Sequence, residues 1–214
     1  MKKRTTELVF ILDKSGSMSG LEADTIGGFN AMLKKQKAVD GACFITTVLF
    51  DNRYELLHDR IDIKAVGRMT DKEYQVGGST ALLDAIGRTI HKIDNAQKHT
   101  AEDYRAQRVL FVIITDGEEN SSREYTAEKV RALIERQKEP YGWEFLFLGA
   151  NIDAIQTAGR YGIAPNRAVD YIADSEGTEL NYKVMASTVM AFRESGRIDE
   201  EQLEKIRNDV KRRG

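Results

Sequence analysis

Short side chains that carry oxygen atoms stand out at three places in the chain. Asp13, Ser15 and Ser17 alternate with other residues in Asp-Lys-Ser-Gly-Ser, Thr80 follows a Gly-Gly-Ser turn, and Asp116 precedes a glycine. Oxygens on such turns can point at one spot, and hard cations such as Mg²⁺ take oxygen ligands in octahedral geometry. The residue types therefore indicate a divalent-metal site.

Two apolar runs must position these side chains. Residues 8–12 and 108–115 are continuous and β-prone, which is typical of strands buried on both faces, and a carboxylate follows each run. In open α/β sheets, ligands bind outside the carboxyl ends of strands, where the strand order reverses. We therefore expect Asp13 and Asp116 to share one crevice, which Thr80 can reach from the start of a helix. Carboxylates about 6 Å apart would repel by roughly 3 kcal/mol at an effective dielectric constant of about 20, and a divalent cation removes that repulsion.

The order of the elements predicts an α/β fold with a mostly parallel sheet and helices on both faces. Residues 43–50 and 54–61 are strand-like and separated by only three residues, which is too short for a parallel crossover. They are therefore expected to form an antiparallel hairpin at a sheet edge. Further predictions are helices over 21–38, 125–138 and 153–161, strands over 143–149 and 168–172, and a last amphipathic helix through 180–192.

The composition narrows the classes of function. The chain has 214 residues, 41% hydrophobic and 31% charged, with a formal charge of −2, which argues against nucleic-acid or membrane binding through net charge. The single cysteine, Cys43, lies in a strand-like run and is expected to be a buried, reduced thiol. The basic N-terminus precedes an apolar stretch that Asp13 interrupts too early for a signal peptide, so a cytoplasmic location is expected.

Taken together, the three oxygen-bearing segments resemble the metal-ion-dependent adhesion site of the von Willebrand factor A (VWA) domain family. The similarity in element order covers nearly the whole chain. Because no extracellular signal is evident, the chain looks more like the intracellular bacterial members of the family. The resemblance implies a Rossmann-like, doubly wound sheet of six strands with one antiparallel edge strand. We assign residues 7–195 to this domain and residues 196–214 to a charged C-terminal helical tail, expected to be solvated or weakly docked rather than a partner-binding element.

The resemblance also implies roles for the five residues. Ser15, Ser17 and Thr80 match hydroxyls that bind Mg²⁺ directly, with Mn²⁺ or Ca²⁺ as possible substitutes. Asp13 and Asp116 match carboxylates that bind directly or through water. In the family, one coordination position is left for an Asp or Glu of a partner protein, so the expected function is non-enzymatic, metal-dependent protein binding without nucleic acid or membrane.

Two other interpretations stay open at this stage. A metal-dependent phosphohydrolase on a similar sheet often has a second Asp two residues after the first, but that position is Ser15, which cannot act as a general acid. A scaffold would have oxygen side chains that only cap turns. Neither a phosphate-binding glycine loop nor a Ser-His-Asp arrangement is evident in the sequence.

Neighbours of the motif are expected to have lesser roles. Lys14 is interpreted as a solvated charge and Met18 as packing. The segment 118–120 is interpreted either as part of a recognition rim or as a solvated turn. Asp13 is expected to have no role in the core, so that its replacement by alanine would leave the fold intact.

Overall fold

The computed structural model describes residues 4–214, in which a single mixed sheet of six strands is flanked by helices. The strands are β1 (Thr6–Asp13), β2 (Cys43–Phe50), β3 (Tyr54–Asp62), β4 (Arg108–Thr115), β5 (Glu144–Gly149) and β6 (Ala168–Asp170). The helices are α1 (Glu22–Lys37), α2 (Leu82–His99), α3 (Ala127–Tyr141), α4 (Ala154–Arg160), α5 (Ser175–Ser195) and α6 (Glu200–Arg213).

The strand order is β3-β2-β1-β4-β5-β6, and all neighbours are parallel except β3, which is antiparallel to β2. The predicted fold class is therefore confirmed, including the hairpin at one edge. After β1 the chain builds the β2–β3 side of the sheet, and it returns through α2 to place β4 on the other side of β1. The order of the strands thus reverses between β1 and β4, as expected.

The central strand β1 divides the interior into two cores. Leu8, Phe10 and Leu12 face the layer of α1 and α5, while Val9 and Ile11 face the layer of α2 and α3. Successive side chains of a strand point to opposite faces, so a continuous apolar run fills both cores at once. This double burial fixes the register of β1 and hence the place where Asp13 leaves the sheet.

The two edges of the sheet are irregular or short. The pairing of β3 with β2 shifts register on both sides of Thr47, and Arg60 has a φ of 48°, which is unusual for a residue with a side chain. At the other edge, β6 has only three residues. The long apolar strands β1 and β4 lie between these edges, with two strands on each side.

Several predicted boundaries differ from those of the structure. Helix α3 continues through Pro140 to Tyr141 and ends at Gly142, whose φ of 64° is the left-handed conformation common after helices. Helix α5 begins at Ser175, five residues before its predicted apolar stripe, because the Asp174 side chain accepts a hydrogen bond from the Gly177 amide and caps a polar first turn.

The charged C-terminal segment is folded against the sheet layer. Leu203 and Ile206 of α6 are fully buried in the core on the α5 side, so this helix is docked and not solvated. The guanidinium group of Arg213 donates to the Asp174 carboxylate at 2.7 Å and so ties the end of α6 to the start of α5. The division into residues 7–195 and 196–214 stays a prediction.

Membrane insertion has no candidate segment in residues 4–214, since none of the helices there is both long and apolar enough to cross a bilayer.

Helix α1 approaches α5 closely at one glycine, and this contact gives a test of the packing. A Cβ atom at Gly28 would lie 2.5–2.8 Å from the ring and Cβ of Tyr182, whereas one at Gly27 would have no neighbour within 4 Å. We expect Gly28→Ala to lower the free energy of unfolding by about 1–3 kcal/mol because the helices must separate. Gly27→Ala should raise it by about 0.5–1 kcal/mol, because alanine is favoured over glycine in a helix. Urea denaturation of the two variants measures both changes, and equal effects would contradict the packing described.

Candidate metal centre

The predicted site residues meet at the carboxyl ends of β1 and β4. Asp13 is the last residue of β1, and β4 ends beside it at Thr115, directly before Asp116. Asp13 and Asp116 are each only 1% exposed. The reversal of strand order therefore opens the sheet at a point where two buried carboxylates emerge.

Asp13 is held by two hydrogen bonds that use both of its carboxylate oxygens. Oδ1 accepts from the Ser15 amide at 2.7 Å, and Oδ2 accepts from the Thr115 hydroxyl at 2.6 Å. The main-chain oxygen of Asp13 accepts from the buried Tyr74 hydroxyl. The expectation that Asp13 has no role in the core is therefore wrong. Its replacement by alanine would leave buried polar groups without partners, so asparagine is the better substitution.

Ser15, Ser17 and Asp116 form a chain of side-chain oxygens. The hydroxyls of Ser15 and Ser17 are 3.1 Å apart, and the Ser17 hydroxyl donates to Asp116 Oδ1 at 2.6 Å. The other carboxylate oxygen, Asp116 Oδ2, is buried and has no hydrogen-bond partner among the described residues. An ionised oxygen without a partner is costly to bury, so this atom fits a place where a cation can bind.

Thr80 joins this group from the loop before α2. A Cβ atom at Gly117 would lie 3.3 Å from Ser17 Oγ and 3.6 Å from Thr80 Oγ1, so both hydroxyls border the same small space beside Gly117. Backbone hydrogen bonds connect the loops: the Gly16 amide donates to the Gly78 oxygen at 3.1 Å, and the Gly77 amide donates to the Lys14 oxygen at 2.9 Å. All five predicted residues therefore lie in one crevice.

The electrostatics of the two carboxylates favour a bound cation. Burial raises the pKa of Asp116 to about 6, and the charge of nearby Asp13 acts in the same direction, against the lowering effect of the Ser17 hydrogen bond. Burial also raises the pKa of Asp13, although hydrogen bonds from Ser15 and Thr115 oppose this shift. Both carboxylates are thus costly to ionise together, and a divalent ion between them would restore the ionised forms.

The segment after Asp116 has a role that the sequence analysis missed. The Glu119 carboxylate accepts hydrogen bonds from the Leu83 amide and from Ser122, while the Asn120 side chain accepts from the Thr80 amide at 2.9 Å. Glu119 and Asn120 therefore fasten this loop to the start of α2, a role that neither sequence interpretation included, and a place in a recognition rim stays a prediction. No local pattern in the sequence identifies partners about forty positions away.

Asp84 of α2 fastens the same loop from the other side. Its carboxylate oxygens accept from the main-chain amides of Arg123, Glu124 and Tyr125, each at 2.9 Å. These hydrogen bonds lower the pKa of Asp84 even though burial opposes them. The position of Thr80 relative to Asp116 is thus set by a carboxylate on each side of the loop.

Lys14 also differs from its predicted role. Its side chain is 3% exposed, and Nζ lies 2.7 Å from Glu55 Oε1 on β3. Lys14 is therefore a buried ion-pair partner of the edge strand β3 rather than a solvated charge. Met18 is 3% exposed within the α1–α5 core, which confirms its packing role. Cys43 is buried and unpaired as expected, and burial raises the pKa of its thiol to about 12.

The donor set suits a hard cation. In the part of the chain that the structure describes, no group of three His, Cys, Asp or Glu side chains is arranged to hold a metal. A site in this crevice would therefore rely on hydroxyls as well as on its two carboxylates. Such oxygen donors fit Mg²⁺ or Mn²⁺ better than metals that prefer thiolate or imidazole.

Comparison with protein families gives the identity of the fold. Residues 1–140 match the family described as VWA domain containing CoxE-like protein. The chain belongs to this family. A search of curated proteins found no match for this VWA protein.

Solved structures of low sequence identity share the VWA fold. The PilB minor pilin from Streptococcus sanguinis, as its D319A mutant, aligns with a TM-score of 0.64 at 11% identity over 91% of this chain and 64% of the pilin. The manganese-loaded TRAP protein of Plasmodium vivax aligns with a TM-score of 0.59 at 16% identity, over 89% of this chain and 74% of TRAP. The proximal thread matrix protein 1 of the mussel byssus, with a zinc-occupied MIDAS motif, aligns with a TM-score of 0.57 at 13% identity, over 88% of this chain and 46% of that protein. This VWA chain thus spans less than two thirds of the pilin and of the byssus protein.

The raised pKa of Asp116 predicts how the metal-free VWA domain responds to pH. A folded-state pKa of about 6, above the ordinary value of 3.8, means that Asp116 stabilises the fold in its protonated form. This contribution is fully present below about pH 4 and is lost as the pH rises through 6. In EDTA, we expect Asp116→Asn to gain stability relative to the wild type between pH 4 and pH 7. Urea denaturation across this range measures the difference, and parallel pH profiles would contradict the assignment.

Proposed function

We propose that this VWA domain binds Mg²⁺ through an intact metal-ion-dependent adhesion site and uses it to capture an acidic side chain of a partner protein. Asp13, Ser15, Ser17, Thr80 and Asp116 would hold the ion, and Mn²⁺ or Ca²⁺ could replace it. The observation that carries the proposal is the buried, unpartnered Asp116 Oδ2 beside three hydroxyls.

The hydrogen bonds indicate different roles for the carboxylates of Asp13 and Asp116. Both oxygens of Asp13 already accept hydrogen bonds, so this residue mainly orients the Ser15 loop and adds charge. Asp116 has one oxygen free, which makes it the stronger candidate for a direct ligand. A bound Mg²⁺ would neutralise both carboxylates and attract an external carboxylate.

The exposure of the crevice supports capture of a ligand from outside the domain. Asp13, Ser15, Thr80 and Asp116 are buried, whereas Gly16 and Ser17 are exposed. The opening of the site therefore lies on the Ser17 side. A carboxylate of a partner would reach the ion there without any movement of the sheet.

We propose further that the domain is not an enzyme and acts in the cytoplasm, without nucleic-acid or membrane partners. Phosphate-ester hydrolysis would need a general acid near the metal, and Ser15 occupies the position where an acid would be expected. The nearest cationic side chain in sequence, Lys14, is directed to Glu55. His58 is hydrogen-bonded to Thr47 and stacked on Phe29.

Metal binding is tested by thermal denaturation of EDTA-treated protein during titration with Mg²⁺ or Mn²⁺. At ten times its dissociation constant, the ion should stabilise the wild type by about 1.4 kcal/mol, or about 3–6 °C in melting temperature. We expect Asp13→Asn to lose this response, because asparagine keeps hydrogen-bonding capacity and removes the charge. Asp199→Asn, at the N-terminus of α6, is the matched control and should respond like the wild type. A full response in Asp13→Asn would refute the site.

Partner binding is tested by affinity capture from a lysate of the source cells. We expect a protein that is retained by the wild type and by Asp199→Asn in Mg²⁺, and is released by EDTA and absent with Asp13→Asn. Substitution of Asp and Glu by Asn and Gln in that protein then locates the captured carboxylate. Retention that EDTA leaves unchanged would count against metal-mediated capture, and Mg²⁺-dependent hydrolysis of p-nitrophenyl phosphate that disappears in Asp13→Asn would favour the phosphohydrolase.

A further inference from the structure

A groove of about 450 Å³ lies between helix α1 and the irregular segment 63–81, which joins β3 to α2. The part of α1 that borders it, from Gly27 to Lys37, covers roughly 15 Å of helix at 1.5 Å per residue. The segment contributes Arg68 to the lining. None of the lining residues belongs to the loops that form the crevice of Asp13 and Asp116, so the groove is separate from the candidate metal centre.

The two walls of the groove are fixed to each other. The Asn30 side chain of α1 accepts a hydrogen bond from the Met69 amide at 2.9 Å and donates one to the Met69 oxygen at 2.8 Å. Farther along α1, Lys37 Nζ donates to the main-chain oxygen of Val66. Val66 and Met69 are both buried in the core beneath the segment. The segment is thus attached to α1 on both sides of Arg68, and the groove is formed before any ligand arrives.

The surface between the walls is open and partly apolar. Ala31 is exposed there, and the buried Leu33 borders the same space. A Cβ atom at Gly27 would have no neighbour within 4 Å, so the space over the helix is unoccupied at this end. The aliphatic stem of a lysine adds further apolar surface below its charged group. An apolar side chain of a ligand can therefore lie against α1.

The charged residues that line the groove are all cationic. Lys34, Lys37 and Arg68 border it, and no Asp or Glu does. None of the three forms an ion pair with a carboxylate of residues 4–214. On the same segment, the Glu73 carboxylate accepts hydrogen bonds from the Thr70 amide and hydroxyl. The groove therefore presents positive charge on both walls without a compensating anion in its lining.

Stabilisation of the helix end is the simplest competing explanation for these cations. Lys34 and Lys37 are in the last turn of α1, where positive charge interacts favourably with the helix dipole. Arg68 lies outside every helix and is exposed, so this explanation does not account for it. Lys35 is in the same last turn but does not line the groove. The cations on opposite walls thus have a common feature that the dipole does not explain.

The combination of features identifies the class of ligand. We propose that the groove docks an acidic segment of a partner protein, with its carboxylates at Lys34 and Arg68 and an apolar side chain against Ala31. An extended segment of four or five residues would span the roughly 15 Å of α1 at about 3.3 Å per residue. The chain has a formal charge of −2, so the positive charge is local to the groove, which suits a short acidic segment better than a membrane or a nucleic acid. This docking goes beyond the proposed metal function and needs no metal.

The docking is tested by selection of phage-displayed random heptapeptides on the immobilised wild-type protein. EDTA is present throughout, so that metal-mediated capture of carboxylates cannot contribute. We expect enrichment of sequences in which Asp or Glu flanks an apolar residue, and saturable binding of the corresponding fluorescein-labelled peptides by fluorescence anisotropy. The double variant Lys34→Glu, Arg68→Glu should weaken this binding by about tenfold or more, because attraction becomes repulsion on both walls.

The double variant Lys35→Glu, Lys72→Glu is the matched control. It makes the same change of charge at exposed residues of the same helix and the same segment, but neither residue lines the groove. It should bind the peptides like the wild type, and so should Asp116→Asn.

The variant Ala31→Phe tests the apolar contact, because it fills the groove without changing its charge, and it should also weaken binding. The amide resonances of Gly27 and Arg68 in ¹⁵N-labelled protein should shift when the peptide is added. The proposal is overturned if no acidic sequence is enriched, or if the two double variants lose binding equally. It is also overturned if vesicles of phosphatidylserine and phosphatidylcholine, or single-stranded DNA, bind the groove more tightly than the selected peptides.

Discussion

The burial of two neighbouring carboxylates, Asp13 and Asp116, constrains the structure at the carboxyl ends of the central strands. Each emerges where a central parallel strand ends, and neither is paired with a cationic side chain in the described residues. Their cost is contained by the Ser15 amide and by the hydroxyls of Ser17 and Thr115, which come from the loop after β1 and the end of β4 and must be held in register. The strand order, the loop-to-loop hydrogen bonds and the clamps of Glu119 and Asp84 can all be understood as support for this one polar pair in an apolar sheet.

The crevice has a rigid side, at Asp13, and a solvent-exposed side, at Ser17. The Ser15 amide and the Thr115 hydroxyl each bond one carboxylate oxygen of Asp13, and the Tyr74 hydroxyl bonds its main-chain oxygen, so the carboxylate is held in one orientation. Ser17, in contrast, lies at the surface and links the interior to solvent through its hydroxyl. A site of this kind is arranged before any ligand arrives, and binding then costs little ordering of side chains. The proposed capture of a partner's carboxylate depends on that preorganisation.

Much of this architecture could be predicted because it depends on local patterns. The apolar runs of β1 and β4 specify doubly buried strands, and the three-residue link between β2 and β3 leaves only a hairpin. The five residues of the crevice follow from strand ends and a family resemblance. Other features were missed because their causes are not local. The burial of Lys14 depends on Glu55 of β3, and the role of Asp13 depends on a hydrogen bond from Thr115. Glu119 accepts a hydrogen bond from the amide of Leu83, thirty-six positions away. The start of α5 was missed for another reason, since a capped polar turn carries no apolar stripe.

The irregular edges of the sheet bear on how the protein behaves at high concentration. Strands as apolar as β1 and β4 would readily add to a neighbouring molecule if they were exposed. They are shielded by two strands on each side, and the outermost strands are poorly suited to pairing with a strand of another molecule. β3 is distorted around Thr47 and Arg60, and β6 offers three residues only. The same sheet that supplies a rigid base for the crevice of Asp13 and Asp116 therefore disfavours edge-to-edge polymerisation.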